Sequence, residues 1–142
     1  MTAATLLVAI ILFVMAVRDQ QVVKLNNLGE SYIQANNYAA AEVAIDQALK
    51  LDPHFAISHH TFGRILLERK EYARAIGEFE EALRLSPAYS LPSAYYLMGN
   101  AYLAIGDREK ARNAWIEVLQ CTDTQYHSDA KAQLDRSPSQ IK

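Results

Sequence analysis

The stretch LGESYIQANNYAAAEVAIDQALKLDP, residues 28–53, is answered 34 residues later by FGRILLERKEYARAIGEFEEALRLSP, residues 62–87. Leu28-Gly29 returns as Phe62-Gly63, Tyr38 as Tyr72, Ala41 as Ala75, Ala48-Leu49 as Ala82-Leu83, and Pro53 as Pro87. A third copy, shifted by two residues, carries Met98-Gly99, Tyr102, Ala111 and Trp115. Self-similarity at this period marks a solenoid, whose units bury their apolar faces by stacking on one another.

Within each copy the apolar residues keep helical spacing, as in Ala41, Val43-Ala44-Ile45 and Ala48-Leu49, or Ala75, Phe79 and Ala82-Leu83. Breaker residues divide each copy into two helices. The first predicts Val22–Ala35 and Tyr38–Leu51, separated by Asn36-Asn37 and closed by Asp52-Pro53. The second predicts Ala56–Arg69 and Tyr72–Leu85 around Lys70-Glu71, closed by Ser86-Pro87. The third starts at Pro92, a favourable first-turn proline, runs to Ala104, turns at Gly106-Asp107 and continues through Arg108–Gln120. Asp123 stands where a closing proline would fall. The polar segment Thr124–Arg136, with Tyr126, Ala130, Ala132 and Leu134 on one face, suits the solvating cap of a solenoid end, and 137–142 should fray.

Before the repeats, no side chain from Met1 to Val17 is charged. Leu6, Leu7, Ile10, Ile11, Phe13 and Val14 leave no polar face, unlike a soluble amphipathic helix. Seventeen helical residues span roughly 25 Å against about 30 Å of hydrocarbon, and Arg18 can snorkel to make up the difference. A single-span anchor over 1–21 is the first expectation. A cleaved signal peptide is the alternative, with Val14-x-Ala16 as a cleavage site but without a basic residue ahead of the apolar run. Burial in a partner protein is the third. Arg18 and Lys24 follow the span, which leans the repeats toward the cytoplasmic side or its equivalent. Between Ala3 and Leu28 there is neither Gly nor Pro, so the apolar helix is expected to continue unbroken into the first repeat.

The charge balance, 14 basic against 16 acidic residues, argues against a nucleic-acid binder. Cys121 is the single cysteine, which rules out an intrachain disulfide and suggests a half-buried structural thiol. No phosphate loop, nucleophile motif or zinc motif occurs, and His54, His59, His60 and His127 read as surface or groove residues. His59 and His60 point about 100° apart on one helix. Glu78, Glu80, Glu81 and Arg84 read as a solvated helix face. The expectation is therefore a non-enzyme without metal, cofactor or small-molecule substrate.

The Leu-Gly pair, the aromatic three residues on, the small Ala, the large apolar residue four further and the closing Pro resemble the tetratricopeptide repeat. The resemblance implies an all-α solenoid of three repeats, about 22–55, 56–89 and 92–123, with a cap at 124–136. Gly29, Gly63 and Gly99 would admit the facing helix, as would Ala41, Ala75 and Ala111, while Tyr32, Tyr102, Ile45, Phe79 and Trp115 fill the space between layers. It also implies a concave groove on the first helix of each repeat. Carried over, the groove is Asn26, Asn27, Glu30, Ile33 and Gln34, then His60, Thr61, Arg64, Leu67 and Glu68, then Tyr96, Leu97, Asn100, Leu103 and Ala104. Arg64, Tyr96 and Asn100 are the expected principal contacts. Chaperone-tail receptors of the family clamp a carboxylate with Lys, Asn and Arg; the matching positions here hold Asn26, Glu30, Thr61, Ser93 and Leu97, so that clamp is not expected. The implied function is a membrane-anchored interaction module, an accessory subunit or assembly factor of a membrane protein complex. Its layout resembles small anchored proteins of the family that assist photosynthetic or respiratory complexes. The alternative is a secreted or periplasmic adaptor released after signal cleavage.

Overall fold

A computed structural model describes residues 3–86, 92–121 and 125–136. It contains α1 (Ala3–Gln34), α2 (Tyr38–Leu51), α3 (Ala56–Glu68), α4 (Tyr72–Leu85), α5 (Pro92–Ala104), α6 (Arg108–Gln120) and α7 (Tyr126–Arg136), with no strand among the described residues. The expected boundaries hold to within one residue for α2 through α6 and for the end of α1; α1 begins not at Val22 but at Ala3, because the apolar segment runs into it without a break, as the lack of Gly and Pro predicts. The closing Pro87, Asp123, the first cap residue Thr124 and the tail 137–142 lie outside the described residues.

The helices pair as α1/α2, α3/α4 and α5/α6, and each pair meets at a glycine. A Cβ added at Gly29 would stand 2.5 Å from Ile45, at Gly63 2.7 Å from Phe79, and at Gly99 2.2 Å from Trp115. The large residue follows its glycine by 16 positions every time, so one steric device is built three times. Ile45, Phe79 and Trp115 are accordingly buried, with Ala41, Ala75 and Ala111 beside them.

The turns inside the three pairs are also one motif. Asn36, Lys70 and Gly106 take the left-handed conformation, with φ of 56°, 61° and 87°. Next to them, Asn37, Glu71 and Asp107 donate their N–H groups back to the carbonyls of Tyr32, Leu66 and Tyr102. This is the Schellman ending, which satisfies carbonyls that a helix end would orphan. Asn37 and Asp107 then cap α2 and α6 by accepting from the N–H groups of Ala40 and Lys110; Glu71 makes no such bond to α4.

Successive pairs stack through core clusters that cross repeat boundaries: Ala41, Ile45 and Ile65 at the first, and Leu66, Phe79, Ala94 and Met98 at the second. The cap α7 closes the far end. Ala130 is buried there with Tyr126 and Leu134 packed beside it. Ala132 is exposed, contrary to expectation, because only the i, i+4 row 126–130–134 faces α6.

α1 is one unbroken helix of 32 residues, roughly 48 Å long. Asp19 caps nothing and instead pairs with Arg18 on the helix surface. The change near residue 22 is one of surroundings. Val22, Asn26 and Gly29 are buried against the repeats, whereas everything described from Ala3 to Gln21 is exposed. Among the described residues α1 alone is long and apolar enough to cross a membrane, with a mean hydropathy of 1.9 over its most apolar 18-residue window.

Candidate partner-binding groove

The inner layer is made by the first helix of each pair and the cap: α1 packs on α3, α3 on α5, and α5 on α7. Equivalent positions therefore form rows across the repeats, such as 26/60/96, 30/64/100 and 33/67/103. The structure spends much of two rows on holding neighbouring helices together.

In the first row, Ser58 Oγ donates to Asn26 Oδ1 at 3.3 Å, with both residues buried. His60 Nε2 and Ser93 Oγ share a hydrogen bond of 2.9 Å. Tyr96 stacks on Tyr126 of the cap at 5.5 Å between ring centroids. Each residue of the row thus reaches forward to the next inner helix. Burial, with the Arg64 guanidinium nearby, pushes the His60 pKa down to about 4, so the ring is neutral at pH 7. Its other contact is the Phe79 ring, 5.6 Å away.

In the second row, Arg64 forms an ion pair with Glu30, one repeat earlier, and Thr61 Oγ1 donates to the same carboxylate at 3.0 Å. The Arg of the groove is thereby neutralised. Opposite charges at equivalent positions of adjacent repeats, 34 apart, were the sequence signal for this contact. Asn100, the third member, is partly exposed.

The expected apolar row divides. Ile33 packs into the first inter-repeat cluster and Leu67 into the second, while Leu103 stays 44 % exposed. Leu97 packs into the second cluster too. Asn27, Gln34, Glu68 and Ala104 are exposed on the inner layer, and Glu68 accepts from the Tyr38 hydroxyl at 3.4 Å. The groove as folded pairs its Glu30 and Arg64 charges and offers side-chain amides and short apolar steps.

Two features lay beyond the sequence reading. Glu78 is not simply solvated: its carboxylate accepts from His59 Nδ1 at 2.8 Å, and His59 Nε2 donates to the Pro53 carbonyl at 3.0 Å. The hydrogen bond to Glu78 raises the His59 pKa above the ordinary imidazole range, against the opposing effect of burial. Glu80 likewise reaches across a repeat boundary to accept from the Tyr102 hydroxyl at 3.1 Å. Only Glu81 and Arg84 behave as the expected surface pair. Cys121 is half-buried, donating to the Glu117 carbonyl at 3.4 Å. Among the described residues no group of three or more His, Cys, Asp or Glu is placed to hold a metal ion.

Tetratricopeptide repeat family models match residues 26–90 and 92–119, most of the chain between the apolar segment and the cap. Tetratricopeptide repeat protein 37 of Xenopus laevis is 29 % identical over 107 residues, and the human intraflagellar transport protein 88 homolog 29 % over 98. The matches take in 71 % and 66 % of this chain but only 7 % and 12 % of those much longer proteins. Among solved structures, the first tetratricopeptide domain of Spaghetti (RPAP3), bound to the HSP90 peptide SRMEEVD, superposes with a TM-score of 0.75 at 21 % identity. That likeness covers 84 % of this chain and 94 % of the other, and speaks to the fold.

Proposed function

The chain belongs to the tetratricopeptide repeat family, and from that premise we propose that it is a membrane-anchored interaction module, an accessory subunit or assembly factor of a membrane protein complex. The observation that carries the reading is α1. Its large apolar side chains from Leu6 to Val17 are 39–70 % exposed, an apolar surface no soluble protein leaves bare without use. Little more than one turn past Val17 the same helix begins to bury residues in the first repeat: Val22, Asn26 and Gly29. An unbroken helix couples the repeats to the bilayer at a fixed tilt, so the partner is a membrane protein or a segment close to the membrane. Arg18 and Lys24 favour repeats on the cytoplasmic or equivalent side.

The partner is not an acidic C-terminal tail of the kind bound by the Spaghetti domain. Arg64 is paired with Glu30 and is therefore not free to clamp a carboxylate. Asn26 and Ser93 are engaged with Ser58 and His60, and Leu97 is packed in the core. The groove is proposed to bind through Asn27, Gln34, Asn100, Leu103 and the solvent edges of Arg64 and Tyr96, a set suited to a helix or extended segment with an apolar stripe. No catalytic role is assigned.

Carbonate washing of membranes tests the anchor: the protein stays in the pellet, and its release overturns the reading. The mass of the mature N-terminus separates this from a secreted or periplasmic adaptor, which would begin near Val17. Inserting a short Gly-Ser linker after Gln20 should preserve anchoring and fold but weaken partner co-purification; unchanged co-purification would free the partner from the membrane.

A further inference from the structure

At the start of the solenoid, on the side of the first repeat that no other repeat covers, α1 and α2 enclose a continuous trough. One part, a cleft of about 550 Å³, is lined by Lys24, Leu25, Gln47, Lys50 and Leu51. The next, about 380 Å³, is lined by Leu28, Tyr32, Val43, Ala44 and again Gln47. Val43 is 59 % and Leu28 43 % exposed. The positions equivalent to Leu28 in the later repeats are Phe62 and Met98, and both pack into core clusters at repeat junctions, whereas Leu28 belongs to none; Tyr32 lines the trough and also packs against the first cluster. Among the described residues the trough is thus a stacking surface with nothing stacked on it, whereas the opposite end is closed by α7.

The α2 wall differs from its counterparts. Ala40, Val43, Ala44 and Gln47 carry no charge, where α4 has Arg74, Gly77, Glu78 and Glu81 and α6 has Lys110, Asn113, Ala114 and Glu117. The chain's own residues 3–20 do not fill the trough, because the unbroken α1 carries them straight away from it.

We propose that this trough docks a helix of a neighbouring membrane protein, one that leaves the bilayer beside α1 and bears an acidic side chain one to two turns beyond its own span. The proposal rests on the anchor reading. The trough runs along α1, so its occupant stands beside α1 and enters the same bilayer. Lys24 lies seven residues past Val17, about 10 Å along the axis, and helical side chains lean toward the N-terminus, which sets its ammonium near headgroup level. Among the described residues Lys24 has no ion-pair partner, while Lys50 across the cleft pairs with Asp46 at 2.6 Å, an exposed and therefore weak contact. A second copy of this chain fits poorly. Two copies sharing one membrane orientation would pair about an axis along the membrane normal and set Lys24 against Lys24.

The test uses the full chain with a V43C substitution carrying an environment-sensitive bimane and with C121S, in phosphatidylcholine vesicles. The probe is a synthetic helix: a 20-residue Leu/Ala span followed by three turns with a Leu stripe and one Glu in the second extramembrane turn. Its control carries Lys at that place. The Glu probe should shift the bimane emission to the blue at a concentration at least tenfold below the Lys probe, about 1.4 kcal/mol of preference. K24E should reverse the order. No shift with either probe, equal shifts with both, or a preference unchanged by K24E would each overturn the proposal. A blue shift that grows with chain density in the absence of probe would assign the trough to a second copy. Flotation reads the anchor separately: a chain that floats yet shows no probe-dependent shift refutes the trough alone, and a chain that does not float refutes both.

Discussion

The two halves of α1 share one backbone and obey different rules. From Ala3 to Gln21 no described residue is buried, and from Ala3 to Val17 the shared property of the side chains is that none carries a charge. From Val22 to Gln34 identity is constrained by shape: Gly29 is set against Ile45, and Asn26 and Glu30 against residues of α3. The contrast teaches that a helix can be continuous while the forces on it are not. In the first half solvent decides, and in the second half a neighbour a few ångströms away decides. Substitutions in one half should therefore leave the other half's property intact.

The largest separation is expected from Ile11→Arg. A charge at the centre of a span costs about 2.5–3.5 kcal/mol on insertion scales, so the variant should move to the soluble fraction with the melting temperature of its repeats unchanged. Loss of both properties together would mean that the two halves are one cooperative unit.

Gly29→Val is the converse test. Its Cβ would overlap Ile45, and overpacking costs about 1–3 kcal/mol, so the repeats should melt several degrees lower while membrane retention persists. The three glycines should also rank. Ile45 meets the new atom with the end of a flexible side chain, whereas the Phe79 and Trp115 rings are rigid. Alanine should therefore be tolerated best at Gly29 and worst at Gly99, and thermal unfolding of the three variants reads the order.

The acidity of the medium should reach only the folded half. His59 has a raised pKa, so its contribution is complete below the unfolded value near 6.5 and is lost as pH rises through the folded value. His60 has a lowered pKa, near 4, so its contribution is complete above 6.5 and is lost as pH falls toward 4. Stability should therefore peak near pH 6.5. His59→Gln should flatten the alkaline side and His60→Gln the acid side, with membrane retention unaffected throughout. Melting curves from pH 4 to 8 check this.

The smallest effect is expected at Lys70, a non-glycine residue at φ 61° where the third repeat has Gly106. Lys70→Gly should stabilise by about 0.5–1 kcal/mol, the left-handed strain relieved being partly offset by glycine's greater chain entropy. Asn36→Gly should gain less, because Asn tolerates this conformation.

The periodic features were legible because they depend on local chemistry repeated at a fixed interval. Helix pairs, turns, glycine crossings and the unbroken α1 all follow from propensity, breakers and spacing read along the chain. The rows of the groove were legible as positions but not as roles. Tyr96 and Arg64 looked available for a partner, yet Tyr96 lies on the cap and Arg64 on Glu30. The opposite charges of Glu30 and Arg64, one period apart, held that information. No comparable pattern announced the His59–Glu78 pair, whose members sit on different helices 19 residues apart.

By itself the sequence determined that the chain is a helical repeat stack behind an uncharged apolar helix, because hydrophobic period and residue size act within one or two turns of backbone. Only the tertiary structure decided which polar groups stay exposed and which are consumed between helices. It also decided that, among the described residues, the end of the stack at α1 and α2 stays open while α7 closes the other. Those outcomes depend on how repeats are placed against one another, and a hydrogen bond or ion pair between helices is set by angles and distances of a few tenths of an ångström that no spacing along the chain encodes.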